Sequence, residues 1–348
     1  MKEALIAPGP SVTIVDTPIP TPTADQVLIQ VVVSGTNPKD WKVPEWTKLT
    51  VNQGDDIAGI VSSVGANVTE FKPGDRVAAF HQMLQPGGSY AEYAISEQHT
   101  TFHLPREVSF EEAATIPLAA MTTAVALYKH LSLPPPWQPA QQRTPLIIYG
   151  GASAIGGYAL QFARRSNIHP LIVVAGKGIP FVEAHLDRSQ GDAVVDYRDG
   201  DEAVVAGIKK ALAAAGVGEG EVRAAYDAVS EKGSYQNLSR VLTPGAKIAL
   251  ILPGKKYPEI PAGIQTAVMS VGEVHGEEER DRDFGAVFFR VIAKGLRDGW
   301  FRPHPSVVVP GGLGGLQTAL TNLKEGKASA VKYVVRIAET EGVDVSKI

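Results

Sequence analysis

The stretch Thr144–Arg165, TPLIIYGGASAIGGYALQFARR, holds the residues best spaced for chemistry. Leu146 to Tyr149 is an apolar run long enough for a buried strand, and Gly150-Gly151 breaks it. Ile155, Ala159 and Phe162 then recur at helical spacing. A strand, a glycine turn and a helix in this order aim backbone N–H groups and the positive end of a helix dipole at a pyrophosphate. The candidate phosphate loop is Gly151-Ala152-Ser153-Ala154-Ile155-Gly156, a G-x-G-x-x-G spacing with Ser153 in the middle position. Backbone must come close to phosphate there, so Ser153 is either tolerated or donates its hydroxyl to a phosphate oxygen.

About twenty residues past the last glycine, a dinucleotide fold places the side chain that reads the ribose. An acid there accepts a hydrogen bond from a 2′-hydroxyl and repels a 2′-phosphate. Here the run Leu171–Ala175 ends in Ala175-Gly176-Lys177, with no carboxylate and a cation two residues on. A third run, Ala193–Asp196, leads into Tyr197-Arg198, an aromatic able to stack on adenine and a second cation. These residues support NADPH as the cofactor. Read blandly, Lys177 and Arg198 are solvated loop charge, and the glycine turn has no ligand.

The elements that must position this loop follow from the whole chain. At 348 residues it has room for about two domains. Hydrophobic content of 44% and charged content of 20% are those of a globular protein. A net charge of −4 offers no basic excess for nucleic acid or an anionic membrane. There is no cysteine, which excludes disulfides, thiol nucleophiles and cysteine metal ligands. The opening MKEALIAPGPSV lacks the apolar core of a signal peptide, and no run approaches the ~18 apolar residues of a membrane helix. The ending Ser346-Lys347-Ile348 differs by one residue from a peroxisomal address and reads as a chance ending, so the expected location is cytoplasmic.

Residues 1 to about 120 read as β-rich, with strands at 26–33, 54–65, from the Phe71–Val77 turn onward, and at 90–95. Ser109 with Glu112 has the spacing of a capping box. A helix is expected over 121–130, stopped by Leu133-Pro134-Pro135-Pro136. Strands at 146–149, 171–175, 193–196, 223–227, 246–252 and 266–271 then alternate with helices, as in a parallel doubly wound sheet. Glu277–Arg280 reads as a solvated turn. The helix over 281–298 is expected to bury Phe284, Val287, Phe288, Val291, Ile292 and Leu296. The tail offers a strand at 306–309, a helix at 313–323 and a strand at 332–337, expected to pack back on the β-rich front.

Five motifs of the front half, Ser34–Lys42, Gly54–Gly59, Phe71–Val77, Gly87–Tyr93 and Ala113–Ala124, occur with the ending Gly326–Val335 in the order used by medium-chain dehydrogenase/reductases. The chain resembles that superfamily over essentially its whole length. The resemblance implies an α/β protein with a GroES-like β-rich catalytic domain, residues 1–120 and 300–348, wrapped around a Rossmann domain, residues 121–299. It also implies an active site in the cleft between the two. Zinc-dependent members use an early cysteine and a Gly-His-Glu element. Here Gly54-Asp55-Asp56 stands in that place and no cysteine exists, so the soft and imidazole ligands of a tetrahedral zinc site are missing. The two aspartates either hold a hard cation or serve a structural, hydrogen-bonding role. The chain therefore resembles the zinc-independent quinone and enoyl reductases. Within that branch Leu133-Pro134-Pro135-Pro136, the Tyr149–Gly156 loop and Asp196-Tyr197-Arg198 look most like the trans-acting enoyl reductases that serve polyketide synthases. One departure is Ala175-Gly176-Lys177-Gly178, where those proteins carry a Ser-Pro-x-Asn-like loop.

The resemblance implies hydride transfer from NADPH to an activated C=C bond, with charge spreading onto an enolate oxygen that hydrogen-bond donors stabilise. It offers three catalytic candidates. Asn37 opens and Lys42 follows the Asn-Pro-x-Asp-Trp element, which resembles a substrate-side loop of the family, and Thr122 lies in the Pro-Leu-Ala-x-x-Thr element on the nicotinamide side. Each has a bland reading: Lys42 as a surface lysine, Asn37 as a turn former before Pro38, Thr122 as a helix cap. The implied substrate is small or carrier-bound, the implied partner a polyketide synthase, and the implied state a monomer or homodimer. Two alternatives stand beside this reading: an NADPH:quinone oxidoreductase, and a catalytically inert NADPH-binding, redox-responsive partner protein. None of the eight histidines falls in a metal-like spacing, and no metal is expected. A Lys42→Met variant is expected to lose turnover on its substrate. Full kcat in that variant would remove Lys42 from catalysis.

Overall fold

The computed structural model describes residues 1–344, so Ser346-Lys347-Ile348 lies outside the described residues. Two short strands, β1 (Lys2–Ala7) and β2 (Ser11–Asp16), pair antiparallel at the start. β3 (Gln26–Gly35) carries Val27, Ile29, Val31 and Val33 at a period of two, and all four are fully buried. α1 (Lys39–Thr47), β4 (Asp56–Val64), β5 (Arg76–Phe80), β6 (Tyr93–Glu97) and β7 (Thr101–His103) follow.

α2 (Phe110–Ala113) begins on the expected capping box. Ser109 Oγ accepts from Glu112 N, and the Glu112 carboxylate accepts from Ser109 N. The helix expected from 121 begins at Pro117 instead, since proline suits the first helical turn. α3 (Pro117–Ala124) then widens into a π-helical segment, Val125–His130.

The α/β alternation comes next: β8 (Leu146–Tyr149), α4 (Ala154–Arg165), β9 (Leu171–Ala175), α5 (Ile179–Glu183), β10 (Ala193–Asp196) and α6 (Asp201–Ala214). β11 (Ala224–Asp227), α7 (Ser234–Ser239), β12 (Lys247–Leu250) and β13 (Gln265–Val268) complete it. Among the described residues these six strands form one parallel sheet in the order β10-β9-β8-β11-β12-β13. β8 lies in its middle, covered on both faces, which is why it reads as an unbroken apolar run rather than an alternation. The order reverses between β8 and β11. In such sheets that reversal marks where a dinucleotide binds, outside the carboxyl ends of the strands.

The tail holds α8 (Glu279–Asp298), β14 (Ser306–Val308), α9 (Leu316–Lys324) and β15 (Lys332–Arg336). β15 pairs antiparallel with β3, giving a second sheet in the order β14-β15-β3-β4-β5-β7, with β6 also on β3. The chain thus divides into two compact units, Met1–Met121 with Gly272 onward, and Thr122–Val271.

The second division falls earlier than the expected 299. α8 groups with the β-rich unit because Phe289 stacks on Phe102 at 5.3 Å and Arg290 bonds the carbonyls of Gln98 and His99. On α8, Phe288, Ile292 and Leu296 are buried as expected, but the face is rotated: Val287 is 46% exposed and Phe289 is buried in its stead. The charge run Glu277–Arg280 runs into the first turn of this helix, where acids favour the dipole. No helix among the described residues is long and apolar enough to cross a membrane.

Loss of the α2 cap is expected to cost about 1 kcal/mol in a Ser109→Ala variant. Chemical denaturation measures it, and an unchanged midpoint would show that the box does not stabilise this helix.

Candidate functional site

In the second unit, the turn after β8 is shaped by glycines that cannot be replaced freely. Gly150 sits at φ 87°, and a Cβ on Gly156 would lie 2.2 Å from the Gly150 carbonyl oxygen. Helix α4 can therefore start hard against the turn. Ser153 is its N-cap: Ser153 Oγ accepts from Gly156 N at 3.1 Å and donates to Gly150 O at 2.8 Å. The hydroxyl that the sequence left available to a phosphate is thus spent on the turn itself, and Ser153 acts through backbone shape. The N–H groups of Ala154 and Ile155 precede any intrahelical acceptor and stand at the positive end of the dipole. Ile155 is held from behind, since Thr123 Oγ1 donates to its carbonyl at 2.7 Å. Gly151 and Ala152 lead into this helix start, whose N–H groups and dipole suit an anion such as a pyrophosphate. Thr122 is buried in α3, one residue before Thr123, with 7% exposure.

Lys177 is exposed just beyond the carboxyl end of β9. Gly176 leaves room for an aromatic there, because a Cβ would lie 2.6 Å from the Tyr197 ring. Tyr197 itself is 49% exposed. Arg198 differs from expectation. Its Nε lies 2.9 and 3.0 Å from the two Asp196 oxygens, so its guanidinium is engaged by a neighbouring carboxylate. The Arg198 hydrogen bonds hold the Asp196 carboxyl below its usual range.

In the β-rich unit, the residues after β3 gather two buried ionic groups. In the first, Lys332 Nζ from β15 donates to Asp56 Oδ2 at 2.5 Å, to Asn37 Oδ1 at 3.0 Å and to Thr115 O at 3.3 Å. Asn37 Nδ2 donates to the same Asp56 oxygen at 2.6 Å, and Leu118 N donates to the other at 2.7 Å. Asn37, predicted as a catalytic donor, is 4% exposed with both ends of its amide bound, so it braces this network.

In the second group, Lys39 Nζ contacts Asp55 Oδ2, Asp40 Oδ1 at 3.0 Å and the Gln53 carbonyl. Asp55 also meets His81 Nδ1 at 2.8 Å, and Tyr90 Oη donates to Asp40 Oδ2 at 2.5 Å. Burial raises the Asp55 carboxyl, but Lys39 and His81 more than reverse this and hold it below the ordinary range. Burial lowers the Lys39 ammonium pKa, and Asp55 and Asp40 outweigh it, keeping the group charged. At Asp40 burial prevails over Lys39 and Tyr90, and the carboxyl is pushed up to about 6. Of the two roles open to Asp55 and Asp56 in the sequence, the structure supports the ionic, structural one. Among the described residues no three His, Asp or Glu side chains are placed to hold a metal.

Lys42 lies outside both groups, with its ammonium 5.6 Å from the centre of the Trp41 ring. Lys324 approaches the same ring at 5.6 Å. The sequence reading missed Lys39 and Lys332 because a lone lysine in a strand or turn carries no spacing signal. The adjacent pair Asp55-Asp56 was the available clue, since two buried carboxylates demand cations.

The comparisons with known proteins agree with this fold. The alcohol dehydrogenase GroES-like domain family matches residues 23–106. Over 97% of this chain and 99% of its own, an alcohol dehydrogenase superfamily protein of Novosphingobium aromaticivorans superposes with a TM-score of 0.77 at 19% identity. The CurK enoyl reductase superposes over 96% and 98% with a TM-score of 0.74 at 18% identity. Together these define the class, a GroES-like unit with a Rossmann unit, as in medium-chain dehydrogenase/reductases. Trans-enoyl reductase fsr4 of Gibberella fujikuroi is 48% identical over 89% of this chain and 91% of its own length. The chain belongs to the trans-enoyl reductases of the medium-chain dehydrogenase/reductase superfamily.

The raised Asp40 carboxyl gives a signed pH effect. Its ordinary value is 3.8 and its folded value about 6, so the folded state holds the extra proton between them. Stability from this group is full below pH ~4 and is lost as pH rises through about 6. Stability of an Asp40→Asn variant relative to the parent is therefore expected to rise across that window, by on the order of 2–3 kcal/mol. Denaturation at pH 4, 5, 6 and 7 measures it, and a difference that does not change with pH contradicts the assignment.

Proposed function

We propose that the protein is an NADPH-dependent, metal-independent enoyl reductase that saturates an α,β-unsaturated thioester, small or carrier-bound. The reading is carried by one observation: the glycine turn between β8 and α4 sits at the centre of a doubly wound sheet, in a chain 48% identical to a trans-enoyl reductase. NADPH, when bound, supplies the hydride. The turn Gly151–Gly156 holds its pyrophosphate through backbone N–H groups and the α4 dipole. Lys177 reads the 2′-phosphate as a point charge, and Tyr197 offers its exposed ring to the adenine. Arg198 contributes less to this contact, because Asp196 already binds it.

At the substrate, the β-carbon gains the hydride and the electron pair moves onto the thioester oxygen as an enolate. Lys42 is the cation proposed to stabilise that oxygen, with Thr122 orienting the reacting groups. A proton taken up at the α-carbon completes the reduction. Asn37 supports this indirectly by fixing the start of α1 through Asp56 and Lys332. The family resemblance of the sequence motifs is the ground for proposing a polyketide synthase as the partner that presents the substrate, and the cytoplasm is proposed as the place of reaction.

Incubation of the protein with NADPH and either an enoyl thioester or a 1,4-quinone separates the readings. Faster NADPH oxidation with the thioester is expected. A preference for the quinone would make the protein a quinone oxidoreductase, and tight binding without any turnover would make it an inert partner. Lys177→Ala is expected to weaken NADPH binding by about tenfold while leaving NADH binding unchanged. Equal weakening of both would take the 2′-phosphate away from Lys177.

A further inference from the structure

A doubly wound sheet binds a dinucleotide as two halves, one on each side of the reversal in strand order. The glycine turn and Lys177 belong to the β8–β9–β10 half. The other half, β11 to β13, ends in two segments at its carboxyl edge, residues 228–233 after β11 and 251–263 after β12.

The first of these segments is strained. Ser230 and Lys232 sit at φ 59° and 54°, a left-handed conformation that non-glycine residues adopt at a cost and that clusters at functional sites. It is also tightly fastened. The buried Asp227 carboxylate accepts from Val229 N at 3.0 Å, Ser230 N at 2.8 Å and Ser234 Oγ at 2.6 Å. Ser230 Oγ donates to Asp227 O and accepts from Ile251 N, which joins the two segments.

Lys255 completes this brace from the second segment. Its Nζ donates to the Ser230 carbonyl at 2.9 Å and lies 5.0 and 5.4 Å from the ring centres of Tyr235 and Tyr257. Those rings meet edge to face at 4.9 Å. Tyr235 Oη donates to Glu259, and Tyr257 Oη donates to Leu252 O. One ammonium thus ties the strained turn, the helix after it and the loop after the next strand.

We infer that Lys255 is a positioning residue for the nicotinamide half of the cofactor, holding the strained Ser230 turn and the 251–263 loop in their ligand-ready shape. This rests on the NADPH-dependent reading above. Lys255 is assigned no contact with the cofactor; it acts through Ser230, Tyr235 and Tyr257. The adenine half has its own fastenings at Ser153 and Gly176 and does not depend on it.

The test compares a whole and a half cofactor on Lys255→Met, Lys255→Arg and the parent. NADPH affinity is read from the fluorescence of the bound reduced nicotinamide, and affinity for adenosine 2′,5′-bisphosphate from calorimetry. Lys255→Met is expected to bind NADPH about tenfold more weakly. Its bisphosphate affinity and its KM for an enoyl thioester should be unchanged. Lys255→Arg, which keeps a cation over the rings, should restore NADPH binding. Unchanged NADPH affinity in Lys255→Met overturns the inference, and so does equal loss of both probes, whether by loosening or by unfolding. If the binding pattern appears but the parent reduces no enoyl thioester, the brace stands and the enoyl-reductase reading falls. If the parent turns over the thioester but binding is unaltered in Lys255→Met, the reductase reading stands and the brace falls.

Discussion

The β-rich unit depends on a simple electrostatic requirement: a carboxylate taken out of water must meet a cation or give up its charge. Asp56 is fully buried at the start of β4, and its counter-ion, Lys332, comes from the last strand of the chain, nearly three hundred residues away. That pair ties β15 to β4 and through Asn37 and Thr115 to the loops on either side. Such a pair is costly to desolvate, and removing one partner costs more than the pair itself is worth, typically about 3–5 kcal/mol. Its contribution is registry: strands from both ends of the sequence join one sheet with a single alignment. Asp55, the next residue in the chain, meets the same requirement differently, through Lys39 and His81.

The Rossmann unit was the more legible part of the sequence, for physical reasons. Leu146–Tyr149 and Leu171–Ala175 are strands with the expected bounds, because inner parallel strands are apolar on both faces and stand out from their surroundings. Ala193–Asp196, the half-buried edge strand, also has the expected bounds. The Ser109 capping box was equally visible, since it is encoded within four residues. What remained hidden depends on contacts distant in sequence. The rotated face of α8 follows from where Phe102 lies, and no periodicity within the helix reveals that. Capture of Arg198 by Asp196 is local, yet the sequence alone could not tell a bound guanidinium from a solvated one. Ser153 shows the same limit, for only coordinates show its hydroxyl turned back on Gly150.

The two units divide the chemical work. In the Rossmann unit, a glycine turn, a helix terminus and a strained serine turn are each locked by side chains that bond to backbone, at Ser153, Asp227 and Lys255. These are the features to which the proposed function assigns recognition. The β-rich unit spends its polar side chains on internal ion pairs, and the Lys39 cluster leaves Asp40 with a carboxyl close to neutrality of charge in mildly acidic solution. Kinship with trans-enoyl reductases then gives the arrangement its direction, toward conjugate reduction in a chain without cysteine.

The central claim is that hydride is delivered to the β-carbon of an enoyl thioester. It is tested most directly by turnover with NADPH carrying deuterium at C4 of the dihydronicotinamide, prepared as each of the two stereoisomers, followed by mass spectrometry and NMR of the product. One isomer should place a single deuterium on the β-carbon of a saturated thioester. Deuterium on the carbonyl carbon, or a saturated product free of deuterium from both isomers, would contradict the account.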